Sequence, residues 1–195
     1  MKTRSIRISL FTLMSAMLLA AGCSSVSSIH PLSAASAIVD REKFEGVWLI
    51  DKSAYTATVA SNGVIRAASV EWKGEAFRLV ELEALPAEGK SRKYLSIRIQ
   101  EEGQWTNKYY FVEYKFTDQG DLILWSPDVE VFEGAVTNHL LQGVLQKGQY
   151  SSDVTITNAP GALLEFIDQP RDQRLFNYTE PVILRKISGA GHSLF

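Results

Sequence analysis

The residue most open to chemistry is Cys23, the single cysteine of the 195-residue chain. It closes the run Leu18-Leu19-Ala20-Ala21-Gly22-Cys23, behind a basic head of Lys2, Arg4 and Arg7 and a 14-residue apolar stretch from Ile8 to Ala21. That stretch is too short to span a bilayer comfortably and reads as an export signal that is removed. One reading of that placement is an ordinary signal with an incidental cysteine at its end. Other reactive side chains are scattered. His30 lies in a Ser/Ala-rich segment, His139 near the end of an expected helix and His192 in the tail, none with a partner nearby in sequence. Neither a His-Glu-x-x-His pair nor a Gly-x-Ser-x-Gly elbow occurs. Asp118-Gln119-Gly120-Asp121 places acids beside a glycine but lacks the further acids of a calcium loop, and reads as a hairpin turn. Lys90-Ser91-Arg92-Lys93 is a short basic patch, either a contact for lipid phosphate or a solvated loop.

The small residues before Cys23 resemble the lipobox of bacterial lipoproteins. The resemblance implies cleavage after Gly22, a diacylglyceryl group on the Cys23 thiol and acylation of the new amine. Burial is worth about 0.8 kcal/mol per methylene, so one chain holds marginally and two or three hold firmly. Ser24 after the cysteine then implies the outer membrane, facing the periplasm. The chain left after residues 1–22 has 173 residues and, because the signal carries three of the 20 basic residues and none of the 22 acidic ones, a net charge of −5. This charge argues against nucleic acid as a partner. With Cys23 acylated no thiol remains for a disulfide or a cysteine-bound metal, and nothing in the sequence calls for a cofactor.

The elements that must position the rest divide the chain into a signal (1–22), a flexible acylated tether (23–40), one domain (41–187) and a tail (188–195). The Ser/Ala-rich stretch from Ser24 to Asp40, with Pro31, is expected to be a coil that holds the domain on the order of 20 to 25 Å from the headgroups. From Phe44 onward, short runs of Val, Ile, Tyr, Phe and Trp alternate with turn pairs such as Asn62-Gly63, Glu88-Gly89 and Gln119-Gly120. Leu95, Ile97 and Ile99 alternate with polar residues, and Tyr110, Val112, Tyr114 and Phe116 repeat the two-residue period, which demands one dry and one wet face. Strands are expected near 46–52, 55–60, 64–73, 76–85, 93–101, 106–117, 120–126, 143–147, 152–157 and 181–187. The fold class is mainly β: eight to ten antiparallel strands closed as a barrel or stacked as a sandwich. Two helices interrupt them. One, 127–142, starts at Ser126-Pro127-Asp128, carries the stripe Val129, Phe132, Val136 and Leu140, and stops at Gly143. The second, 160–168, buries Leu163, Phe166 and Ile167 and ends before Pro170. Either is placed to plug a barrel mouth.

Phe44-Glu45-Gly46-Val47-Trp48 resembles the Gly-x-Trp signature on the first strand of lipocalins. The resemblance implies an antiparallel barrel in which Trp48 closes one end beneath an arginine from the last strand, here Arg185. The family's Thr-Asp-Tyr turn is missing, since Asn177-Tyr178-Thr179 lies too near the C-terminus to replace it. Trp48 as a core aromatic of another antiparallel fold stays open. The stretch from Tyr109 to Leu141 also resembles small uncharacterised bacterial lipoproteins, which implies no activity.

Trp72, Trp105, Tyr109, Phe111 and Trp125 are candidates, with Trp48 and Arg185, to line a cavity for a small hydrophobic ligand; plain core packing is the competing account. Asn107, Glu113 and Arg98 would orient a head group or form a solvated outer face. The expectation is a non-catalytic, lipid-anchored envelope protein that holds a small apolar ligand. The alternative is an assembly module docking on an envelope protein through a strand edge or the 127–142 helix. An enzyme would require Glu113, Arg98 or Asp121 to meet in a cleft.

Overall fold

The computed structural model describes residues 24–33, 40–51, 53–73, 76–101, 103–170 and 173–188. Cys23, the expected signal (1–22), His192 and residues 189–195 of the expected tail lie outside them. Eight strands close an antiparallel barrel in the order β8-β9-β12-β2-β3-β4-β5-β6 and back to β8. They are β2 (Gly46–Ile50), β3 (Ser53–Val59), β4 (Ile65–Lys73), β5 (Ala76–Glu88), β6 (Lys93–Glu101), β8 (Tyr109–Phe116), β9 (Leu122–Trp125) and β12 (Val182–Ser188). The turns at Asn62-Gly63, Glu88-Gly89 and Gln119-Gly120 fall where those pairs predict; Gly120, at φ 88°, takes the left-handed position of the 117–121 hairpin, where a Cβ would be strained. Alternation sets the faces. Leu95, Ile97, Val112, Tyr114 and Phe116 point into the barrel, while Tyr94, Ser96 and Phe111 point out.

The sheet forks at β8. The half from Glu113 to Phe116 pairs with β9, and Tyr109 and Tyr110 pair with β1 (Ser25–Ser28), which runs parallel to β11 (Ser152–Ile156), itself paired with β10 (Gly143–Lys147). A two-residue strand, β7 (Gln104–Trp105), edges β6. Strand β1 corrects the expected tether. Ser25-Val26-Ser27-Ser28 has one apolar side chain, but Val26, Ser27 and Ser28 are buried, and Leu32 beyond them is 1% exposed with its amide bonded to Ser96 Oγ. Backbone pairing on both sides supplies what composition withholds.

Three short helices accompany the strands: α1 (Arg41–Phe44), which the sequence did not suggest, α2 (Val129–Thr137) and α3 (Ala162–Asp168). Helix α2 is shorter than 127–142. Its cap is Asp128, whose carboxylate accepts from the amides of Glu130 and Val131, and Pro127 sits outside, bridged to Phe176. It ends in a Schellman arrangement: Leu140 N–H donates to Ala135 O, His139 N–H to Val136 O, and His139 takes the left-handed conformation at φ 57°. Leu140 is therefore off the helix and exposed, and Gly143 opens β10, where a Cβ would fall 2.9 Å from Thr155 O and Val136 Cγ2. Helix α3 buries Leu163, Phe166 and Ile167 as expected. Neither α2 nor α3 plugs the barrel. Both pack on its outside with β1 and β11, building an outer core around Tyr94, Phe111, Phe132, Val154, Ile156 and Phe176.

Candidate functional site

The barrel has a closed end and a second end of different character. At the closed end, α1 drops Phe44 into the lumen, where its ring meets Tyr114 at 5.6 Å and Phe116 at 5.0 Å, both edge to face. Trp48 lies beside them, 2% exposed, and its Nε1–H donates to Phe44 O at 2.7 Å. The basic residue over that indole is Lys186, not Arg185. The β12–β2 register sets Lys186 opposite Trp48 and Arg185 opposite Leu49, so Arg185 faces outward. The Lys186 ammonium sits 5.4 Å from the indole centroid and donates to Glu42 O and Lys43 O, sealing the floor. Burial draws its pKa below the ordinary lysine value, against the pull of the Asp40, Glu42 and Glu45 charges.

Above this floor the inward side chains are mainly aliphatic, with alanines on β3 and β4. Ala57 pairs with Ala67 across β3 and β4, Ala67 with Leu82 across β4 and β5, and Leu82 with Ile99 across β5 and β6. Ala67, Ile97, Val112, Leu124 and Leu184 also face inward, packed against the floor cluster, yet all five keep partial exposure. Beside these sit Tyr55, Ser69 and Glu71, buried on the inward faces of β3 and β4. Burial and then the neighbouring Glu71 charge push the Tyr55 hydroxyl up to about 12, so it is a neutral donor at physiological pH. The inward wall above the floor is therefore apolar, with one small polar corner.

The β3–β4 ladder stops at Ala68 and the β5–β6 ladder at Leu82, so β4 and β5 run on as a hairpin arm beside the mouth. Its outer face carries Val70, Trp72, Phe77 and Leu79, all more than half exposed, with Trp72 and Phe77 edge to face at 4.6 Å.

Of the aromatic residues expected to line a cavity, only Trp48 faces the lumen. Trp72 is on the arm. Trp105 and Tyr109 lie on the outer wall under the Arg98 guanidinium, at 5.0 and 5.7 Å. Phe111 is in the outer core, and Trp125 packs against it and against Tyr178 at 5.5 Å. The polar candidates also sit outside. Arg98 and Arg66 clasp the buried Glu83 at 2.6 and 3.0 Å, and Asn107 is exposed. Glu113 accepts from Tyr178 Oη at 2.7 Å and from Arg92 at 3.2 Å, tying the C-terminal loop to the wall. Burial, then this bond to Glu113, raises the Tyr178 hydroxyl to about 12. In the basic patch the Arg92 guanidinium also donates to Tyr178 Oη and Lys93 lies 4.0 Å from Glu88, while Lys90 bonds Asp168 through its backbone amide. Sequence reasoning missed Tyr55, Ala67, Ser69, Glu71 and Leu82. The signal for Tyr55 was present, because Tyr55, Ala57 and Val59 alternate with Ala54, Thr56 and Thr58. No family model, curated protein or solved structure matches the chain.

Proposed function

We propose that the chain is a lipid-anchored, non-catalytic envelope protein of lipocalin-like design that holds a small apolar ligand in the open half of its barrel. The observation that carries this reading is the exposure of inward-facing apolar side chains, Ala67, Ile97, Val112, Leu124 and Leu184, above a floor sealed by Phe44, Trp48 and Lys186. Apolar walls supply affinity, and a few polar groups fix orientation. Tyr55 and Glu71 would fix it here, which favours ligands with an apolar body and one polar end. The lipobox-like end of the signal supports the anchor, and the Gly46-x-Trp48 pair with a basic residue over the indole supports the lipocalin-like design.

The test is titration of the chain with an undecanoic acid bearing a dansyl group, followed by energy transfer from tryptophan. Saturable one-to-one binding that Val112→Trp abolishes supports a site in the lumen. Absence of saturable binding, or binding that Val112→Trp leaves intact, refutes it. The second reading, docking on an envelope protein, is favoured by the arm: four large apolar side chains share one outward face. Trp72→Ser with Phe77→Ser separates the two, leaving probe binding unchanged and removing any partner crosslink made through the arm.

A further inference from the structure

We infer that the amino-terminal anchor is a rigid strap and not a leash: it holds the β10–β11 hairpin against the lipid headgroups and turns the barrel mouth toward the aqueous space. The inference rests on acylation of Cys23 as proposed above. The residue after that cysteine is already bonded to the body of the protein. Ser24 Oγ accepts from the Ser152 amide at 2.8 Å, Ser25 Oγ donates to Asp153 Oδ1 at 2.6 Å, and Ser25 to Ser28 pair residue by residue with Asp153 to Ile156. Val26, 5% exposed, locks the strand into the outer core, and Ile29 N–H continues the ladder onto Ile156 O. Successive Cα atoms are about 3.8 Å apart, so the acylated residue is one residue step from a serine bonded to the hairpin, in place of the tens of ångströms a coil would allow.

Strand polarity fixes which way the barrel points. β1 is antiparallel to β8, with Ser28 opposite Tyr109, the first residue of β8 at the mouth. The chain therefore enters on the side away from the mouth, next to the turn that joins Lys147 to Ser152. That turn presents Gln149 and Tyr150, whose Nε2–H and Oη are hydrogen-bonded at 2.9 Å, and Tyr150 is 79% exposed. A phenol suits the boundary between headgroup and acyl chain. The nearby Lys147 is paired with Glu133, and Asp153 with Ser25, so the turn carries no free cluster of cations. Contact is imposed by the anchor and the strap, and salt leaves it unchanged.

The test uses the full chain, acylated in a bacterial host and placed in vesicles of phosphatidylethanolamine and phosphatidylglycerol. Gln149→Cys or Lys108→Cys, the latter in the loop at the mouth, carries an environment-sensitive fluorophore, and the lipid carries a nitroxide quencher. The expected result is strong quenching at position 149, little at 108, and no change from low to high salt. A flexible 12-residue Gly/Ser insert between Cys23 and Ser24 should abolish the quenching while the protein still floats with the vesicles. Flotation with position 149 unquenched, or with 149 and 108 quenched alike, overturns the strap and leaves the anchor standing. Failure to float overturns both.

Discussion

Ala67→Leu measures how much room the barrel holds. Ala67 faces the lumen between Ala57 on β3 and Leu82 on β5, so three added carbons project into the space above the floor. If that space is open, each buried methylene is worth about 0.8 kcal/mol, giving at most about 2.4 kcal/mol and nearer 1 at a site that keeps partial exposure. If the space is already filled, overpacking costs about 1 to 3 kcal/mol. The two cases differ in sign. Urea unfolding of the chain lacking residues 1–22 and carrying Cys23→Ser, followed by tryptophan fluorescence, reads that sign. With a slope of about 2 kcal/mol/M, a gain of about 1 kcal/mol raises the midpoint by about 0.5 M. The same variant should weaken binding of the dansyl fatty acid, because the leucine occupies the ligand's place. A midpoint lower by about 0.5 M or more at unchanged slope would refute an open upper half.

Three further outcomes follow from particular contacts. Lys186→Ala removes the cation from Trp48 and two bonds to backbone carbonyls and should cost about 1 to 2 kcal/mol, whereas Arg185→Ala should stay within about 0.5 kcal/mol; equal effects in urea unfolding would contradict the register that sets Lys186 over the indole. Asp128→Ala should cost about 1 kcal/mol through loss of the α2 cap, and Ser126→Ala, two residues too early, much less, as thermal melts would show. In alkali, Tyr55 and Tyr114 have hydroxyls pushed by burial from 10.0 to about 12 in the folded state. Their stabilising contribution is complete below pH 10 and falls away as pH climbs toward 12, so phenolate absorbance should lag behind free tyrosine and then rise together with unfolding. Ordinary tyrosine titration without unfolding would contradict their burial.

The strands were legible because alternation is a local property: Leu95-Ser96-Ile97-Arg98-Ile99 and Tyr110 through Phe116 announce a wet and a dry face before any partner strand is known. Which aromatics share a cavity was not legible. Trp72 continues the outer face of β4 into an arm where polar Ser69 and Glu71 turn inward and apolar Val70 and Trp72 turn outward, reversing the usual pattern. The same limit moved the residue over Trp48 by one place. Val182-Ile183-Leu184 is apolar on both faces and Arg185 and Lys186 are both basic, so only the pairing with β2 decides that Lys186, and not Arg185, meets the indole. Serines 25, 27 and 28 read as a linker because their strand is held by neighbours 80 to 130 residues away in the chain, at Tyr109, Tyr110 and Asp153 to Ile156. Helix α2 was placed correctly but overrun, since a histidine in the left-handed position, and not Gly143, ends it.

Native mass spectrometry of the Cys23→Ser chain isolated from its own cells tests the central claim most directly. The account predicts a one-to-one complex with a small apolar molecule that Val112→Trp eliminates. A bare mass in every preparation, with added fatty acid failing to bind, would contradict it.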